Sequence, residues 1–394
     1  AHVVVVGAGL AGLRTVEALR QQGHRGRITV IGEEREEPYD RPPLSKQVLR
    51  GERGLVPLRD ADYAELDIDL RLGVRAAGLD VEARQVLIDG GPPVGYDALV
   101  IATGATPRRL PRYENHPGVH VLRHARDALA LRDALAGGRH LAVIGGGFIG
   151  CEVAASARAL DKQVTLIEVL PHPLVRVLGE QVAVLVEQLH VEHGVTVRTS
   201  VQVQEILGNG AITGLRLSDD TVVDADLVLA GLGVEPNTAW LQGSGLEVDN
   251  GVVCDEFCAT KASGVYAVGD VARWSHLGTA DLRRVEHWTN AAEMAVAVAT
   301  NLLRDSDSRQ AFVPIPYVWS DQYDVKIQAV GFISAADDVT LTTVGANKRV
   351  LAIYGQDAKL TGAVGFSAAP QVMKIRRLLA EGGSVQDALA AVTG

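Results

Sequence analysis

A chain of 394 residues exceeds what one hydrophobic core usually serves, so two or three domains are expected, each large enough to bury a cofactor. Aromatic residues make up only 4%, which argues against stacking platforms for single-stranded nucleic acid, and a net charge of -10 would repel a phosphate backbone or an anionic membrane surface. The longest Ala-rich stretch, Ala291 to Leu303, is short and broken by Glu293, so no transmembrane span is expected.

The β-branched run Val3 to Val6 predicts a strand, followed at once by Gly7-Ala-Gly9-Leu10-Ala11-Gly12 and the helical spacing of Leu13, Val16 and Leu19. A strand starting this early leaves no room for a signal peptide, and a cytoplasmic location is expected. In such a turn Gly7 makes the bend, Gly9 lets a pyrophosphate approach the backbone, and Gly12 lets helix pack on strand, with the helix N-terminus facing the anion. A second strand, Arg27 to Ile31, runs into Gly32 and Glu33, the latter near the distance at which an acidic side chain holds a ribose hydroxyl.

The pattern returns with the strand Leu141 to Ile144, the turn Gly145-Gly-Gly147-Phe148-Ile149-Gly150, a helix through Leu160 and a strand Val164 to Ile167 ending at Glu168. One glycine motif is weak evidence, whereas two copies in the same strand-turn-helix setting imply two dinucleotide sites. A second echo closes each module: Tyr96 to Pro107, with Ala102-Thr103-Gly104, resembles Asp226 to Pro236, with Gly231-Leu232-Gly233. The first module is interrupted by the second, and the strand starting at Val265 returns to the first and presents Gly269-Asp270 at its carboxyl end. The expected class is α/β, with one dinucleotide-binding domain over 1–109 and 236–316, a second over 110–235, and a smaller α+β C-terminal domain over 317–394. Within the last, strands are predicted at Lys326 to Val330, Val350 to Tyr354 and Lys359 to Val364.

The segment Pro38-Tyr-Asp-Arg41-Pro-Pro-Leu-Ser-Lys46, with Gly145 to Glu152, Tyr266 to Asp270, Val285-Glu286-His287-Trp288 and Trp319 to Tyr323, resembles the NADH-dependent ferredoxin reductases of bacterial oxygenase and cytochrome P450 systems. Apoptosis-inducing factors are similar too. The resemblance covers essentially the whole chain and implies two Rossmann-like domains of the glutathione reductase kind, an FAD domain over 1–109 and 236–316 and an NADH domain over 110–235, with an interface domain over 317–394. It further implies that Arg41 and Lys46 contact FAD, with Lys46 near flavin N5 and paired to Glu152. Asp270 would hold the ribityl or phosphate region, Trp288 would lie beside the isoalloxazine, and Trp319 would close the pocket. His287 stands where a Ser is common in that family.

The loop that would carry a redox dithiol in a disulfide-reducing flavoenzyme holds Arg41 to Lys46 and no cysteine, which rules out dithiol exchange there. Cys151, Cys254 and Cys258 read as free thiols. No metal-ligand spacing and no GxSxG nucleophile occurs, so the cofactor carries the chemistry and no metal is expected. Glu168 favours NADH, since the extra phosphate of NADPH would meet like charge; the next arginine is Arg176, and His172 is a partial substitute cation.

The expected activity is transfer of hydride from NADH to FAD and of single electrons onward to a [2Fe-2S] ferredoxin, in a monomer or weak dimer. The alternatives are an NADH oxidase or quinone reductase, or a redox-sensing flavoprotein. Trp288 and Trp319 read equally as packing against the ring or as lining the electron route. Arg283-Arg284 and Lys374-x-Arg376-Arg377 are candidate docking charges, and each reads equally as a solvated cluster.

Overall fold

Four consecutive valines, Val3–Val6, are wholly buried, as a strand flanked on both faces requires. They form the centre of a five-stranded parallel sheet in a computed structural model that describes residues 1–278 and 280–393. Thr279 and Gly394, the latter the last residue of the predicted C-terminal domain, lie outside the described residues. The chain divides into two compact units, one built from residues 1–40, 56–106 and 235–316, the other from 41–55, 107–234 and 317–394.

In the first unit the sheet order is Val265–Ala267, Ala98–Ile101, Val3–Val6, Ile28–Gly32 and Asp69–Leu72. Val3 lies opposite Ile28 on one side and Ala98 on the other, and Val265 lies opposite Leu99. The strand order reverses between Val3–Val6 and Ala98–Ile101, which is where open α/β sheets take ligands. The return of residues 265–267 to this sheet follows the sequence reading, and the second strand sits one residue later than expected. Helix Leu10–Gln21 presents Leu13, Val16 and Leu19 to the core, and helix Trp288–Leu302, which buries Met294, Ala295 and Val298, packs beside it.

The second unit repeats this order with Thr196–Arg198, Gln163–Ile167, His140–Ile144, Leu227–Ala230 and Val119–His120. Its fifth strand comes from upstream of the module, whereas in the first unit it comes from far downstream. Helix Phe148–Ala159 follows the glycine turn, and helix Glu180–Glu192 buries Val182, Val186 and His190. A five-stranded antiparallel sheet, ordered Tyr317–Gln322, Val325–Gly331, Lys359–Phe366, Arg349–Gln356 and Asp338–Val344, occupies the C-terminal residues with helices Ala369–Ala380 and Val385–Thr393. Its core joins Val330, Leu351 and Ile353 to Val372 and Ile375 of the first of these helices. Among the described residues no helix is long and apolar enough to cross a membrane.

Candidate active site

Two backbone cradles come first. In the first unit Gly7 has φ 117°, a conformation that L side chains rarely adopt, and a Cβ there would overlap the Ala102 carbonyl oxygen. A Cβ on Gly12 would overlap the Gly7 carbonyl, while one on Gly9 would point into open space. Gly9 starts helix Leu10–Gln21, whose first turn has no side-chain cap and no acidic residue. Its orphan N–H groups therefore meet no side-chain cap and no acidic residue in that turn, which fits a pyrophosphate.

Around this turn Ala11 is buried and Leu10 packs on the core. Thr103 and Gly104 are clamped by a residue that the sequence reading passed over. Asn237 Nδ2 donates to Thr103 O at 2.8 Å, Asn237 N donates to Gly104 O at 2.9 Å, and Thr103 Oγ1 donates to Asn237 O at 2.9 Å. Gly269 has φ 74° and brings Asp270 to the carboxyl end of its strand.

Trp288 opens helix Trp288–Leu302, and its Nε1 donates to Asp40 Oδ1 at 2.8 Å. His287 precedes it with a buried Nδ1 that has no protein partner, and burial pushes this imidazole down to about 4 despite the Asp270 carboxylate. An orphaned ring nitrogen beside Trp288 fits a polar bound group. Glu286 pairs with Arg284 at 2.5 Å, and Glu33 is exposed, with Arg75 at 3.9 Å.

The second cradle reproduces the first. Gly145 has φ 103° and its Cβ would overlap Gly231 O; a Cβ on Gly150 would overlap Gly145 O; Gly147 faces open space at an uncapped, acid-free helix start. Ile149 is exposed there, Phe148 is half-buried, Leu232 packs on the module's core, and Gly233 takes φ 80°. Glu168 is buried at the strand end and turned inward. Its Oε2 accepts from Gly146 N at 2.6 Å and its Oε1 from Leu170 N at 2.9 Å. This fixes the carboxylate beside the turn with lone pairs to spare. His172 is engaged by Glu187 at 2.5 Å, and Arg176 is exposed.

Also in the second unit, Lys46 and Glu152 form an ion pair at 2.8 Å with side chains 7% and 5% exposed. Lys46 follows the short 3₁₀ turn Pro42–Ser45, and Glu152 lies on the first turns of helix Phe148–Ala159. Lys46 Nζ also donates to Pro42 O at 3.0 Å. Glu152 accepts from Ser45 Oγ at 2.5 Å and from Ser320 Oγ at 2.8 Å. Both serines fall in segments that carry the family resemblance, Pro38 to Lys46 and Trp319 to Tyr323, but neither has a role readable there, since each partner lies more than 100 residues away. Arg41 Nη1 donates to Arg123 O at 2.8 Å, close to His124 Nδ1 at 3.3 Å.

Trp319 stacks on Tyr317 with centroids 5.9 Å apart, and Arg376 lies over the Tyr317 ring at 5.8 Å. Arg283 pairs with Asp281 at 2.7 Å. All three cysteines are buried and free, and burial pushes each thiol well above its usual range. Among the described residues no cluster of His, Cys, Asp and Glu could hold a metal ion.

Residues 1–295 match the pyridine nucleotide-disulphide oxidoreductase family, and residues 317–393 match the reductase C-terminal domain. The ferredoxin–NAD(+) reductase component of the p-cumate 2,3-dioxygenase system of Pseudomonas putida is 38% identical over 360 residues, 90% of this chain and 87% of the relative. The corresponding component of the anthranilate 1,2-dioxygenase system of Burkholderia cepacia is 37% identical over 388 residues, 96% and 94% of the two chains. Among solved structures, the ferredoxin reductase for the CYP199A2 system of Rhodopseudomonas palustris has a TM-score of 0.92 at 32% identity, covering 98% of this chain and 95% of that one. The covalent putidaredoxin reductase–putidaredoxin complex gives 0.90 at 31% identity, covering 100% and 99%. With two dinucleotide cradles followed by an antiparallel C-terminal sheet, the chain belongs to the pyridine nucleotide-disulphide oxidoreductase family, in the form that carries the reductase C-terminal domain.

Proposed function

We propose that this protein is an FAD-dependent NADH:ferredoxin oxidoreductase serving a [2Fe-2S] ferredoxin of an oxygenase or cytochrome P450 system. The observation that carries the reading is the buried Lys46–Glu152 pair, whose lysine stands in the loop where a disulfide reductase would hold its dithiol. The curated relatives named as ferredoxin–NAD(+) reductase components match over most of their length, which supports ferredoxin as the acceptor. The buried, unreactive thiols argue against a disulfide substrate.

FAD is assigned to residues 1–109 and 236–316, held by Gly7, Gly9, Leu10, Ala11, Gly12, Glu33, Ala102, Thr103, Gly104, Gly269, Asp270, Glu286, His287 and Trp288, with Arg41, Lys46 and Trp319 added by the resemblance. NADH is assigned to 110–235, held by Gly145, Gly147, Phe148, Ile149, Gly150, Glu168, Arg176, Gly231, Leu232 and Gly233, and the ferredoxin interface to 317–394. When bound, FAD supplies the conversion of a two-electron donor into one-electron deliveries. The chain's own part is placement and charge: Glu152 fixes the Lys46 ammonium, a cation that favours negative charge on the reduced ring. Glu168 offers acceptors to the ribose hydroxyls of NADH and repels a phosphate there.

The test is NADH-driven reduction of cytochrome c by the FAD-loaded protein, with and without added [2Fe-2S] ferredoxin. Strong ferredoxin dependence is expected. Turnover indifferent to ferredoxin would instead mark an oxidase or quinone reductase. The protein is assigned as a monomer or weak dimer in the cytoplasm, which light scattering and fractionation check.

A further inference from the structure

Glu152 is the end point of a longer line of hydrogen bonds that starts well outside the Lys46 pair. Ser320, on strand Tyr317–Gln322, is wholly buried and donates to Glu152 Oε1. Gln322, two residues on and therefore on the same face, donates from Nε2 to Ser320 Oγ at 3.1 Å. Beyond it, Gln322 Oε1 and His190 Nε2 are both buried, and neither forms a hydrogen bond. On the opposite ring nitrogen, His190 Nδ1 bonds the Tyr323 hydroxyl at 2.8 Å, and the Tyr323 ring stacks on His193 with centroids 3.7 Å apart. Tyr323 has φ 57°, a left-handed conformation that a bulky residue keeps only when its surroundings hold it.

The polarity of the line is uniform. Gln322 donates to Ser320, and Ser320 donates to Glu152. Ser320, Gln322 and His190 are all 0% exposed, so three polar side chains are kept in a core where apolar ones would pack at lower desolvation cost. The two oxygens of Glu152 are not equivalent. Oε2 takes both Lys46 and Ser45, whereas Oε1 takes Ser320, so Ser320 sets the rotation of the carboxylate plane.

We infer that Ser320 and Gln322 are positioning residues for the Lys46–Glu152 pair, through which strand Tyr317–Gln322 of the C-terminal sheet fixes where the ammonium stands. This rests on the assignment of Lys46 to the flavin. It gives the Ser-x-Gln-Tyr run a role separate from ferredoxin docking.

The experiment compares FAD-loaded Ser320→Ala, Ser320→Thr, Gln322→Met and Lys46→Ala with the parent protein, reading stopped-flow flavin reduction at saturating NADH, the NADH KM and the flavin midpoint potential. Ser320→Ala and Gln322→Met are expected to slow reduction about tenfold and lower the potential, with NADH KM unchanged within about twofold, the mark of a contact that matters only at the reacting centre. Ser320→Thr keeps the hydroxyl and is expected to restore both values. Ser320→Ala removes a single oxygen and decides the matter should Gln322→Met fail to fold. Parent-like rate and potential in Ser320→Ala, alongside losses in Lys46→Ala, would overturn the positioning role alone. Parent-like values in Lys46→Ala as well would overturn the flavin assignment beneath it.

Discussion

Replacing Lys46 by Met keeps an unbranched apolar stem and removes the terminal ammonium, with its charge and its hydrogen bond to Pro42 O. Glu152 would then be 5% exposed with the hydroxyls of Ser45 and Ser320 as donors and no counter-charge. Removing one member of a buried ion pair costs about 3–5 kcal/mol. In a unit of roughly 200 residues, where each kcal/mol moves the midpoint by about 2–4 °C, the apparent Tm should fall by roughly 6–20 °C. Part of this loss belongs to the stranded carboxylate and not to the missing cation, so Lys46→Met combined with Glu152→Gln should recover most of it. Scanning calorimetry of the four proteins at equal FAD loading reads the cycle. A single Lys46→Met variant within about 2 °C of the parent would refute the view that this pair is electrostatically closed off from solvent.

Three further outcomes follow from the same geometry. Glu168→Gln must turn an amide nitrogen toward the N–H of Gly146 or Leu170, so NADH KM should rise about tenfold and the preference over NADPH should shrink, as steady-state kinetics with both donors will show. With all three thiols buried and raised, the native protein should react with no aromatic disulfide reagent until unfolded, and alkylating agents should leave turnover intact. His190 is pushed from 6.5 to about 4 mainly by burial, so between those pH values the unfolded chain binds more protons than the folded one. Stability should therefore fall as pH drops through that window, by about 3 kcal/mol at its lower end, and denaturant titrations of His190→Gln should show a flatter acid limb.

The repeated module was legible because its constraint is local. Gly7 and Gly145 need positive φ, Gly12 and Gly150 need the space of a missing Cβ, and both sets lie within six residues, so a short window of sequence carries the whole demand. The return of Val265–Ala267 to the first sheet was legible for a different reason: the second echo closed the inner module and left a buried strand with only one sheet to join. Strand Val119–His120 was not legible, being two residues long and half-buried, too short for any periodicity. Asn237, Ser45 and Ser320 were missed as well. Each is a small polar residue whose meaning is fixed by a partner more than 100 positions away, Thr103 for the first and Glu152 for the other two.

The same distinction separates the two carboxylates that follow the second glycine turn. Glu168 is held by two backbone N–H groups in its own module, so its place is set wherever that module folds. Glu152 is held by side chains from residues 45, 46 and 320, and no one of these segments positions it alone. A substitution near Glu168 should therefore change nucleotide binding and little else, whereas changes in either of the two distant segments should converge on the Lys46 ammonium. Variants at Ser45 and Ser320 should accordingly share one kinetic signature although their positions lie 275 residues apart in the chain, and a Ser45→Ala protein that altered NADH KM while leaving the flavin reduction rate untouched would contradict that convergence.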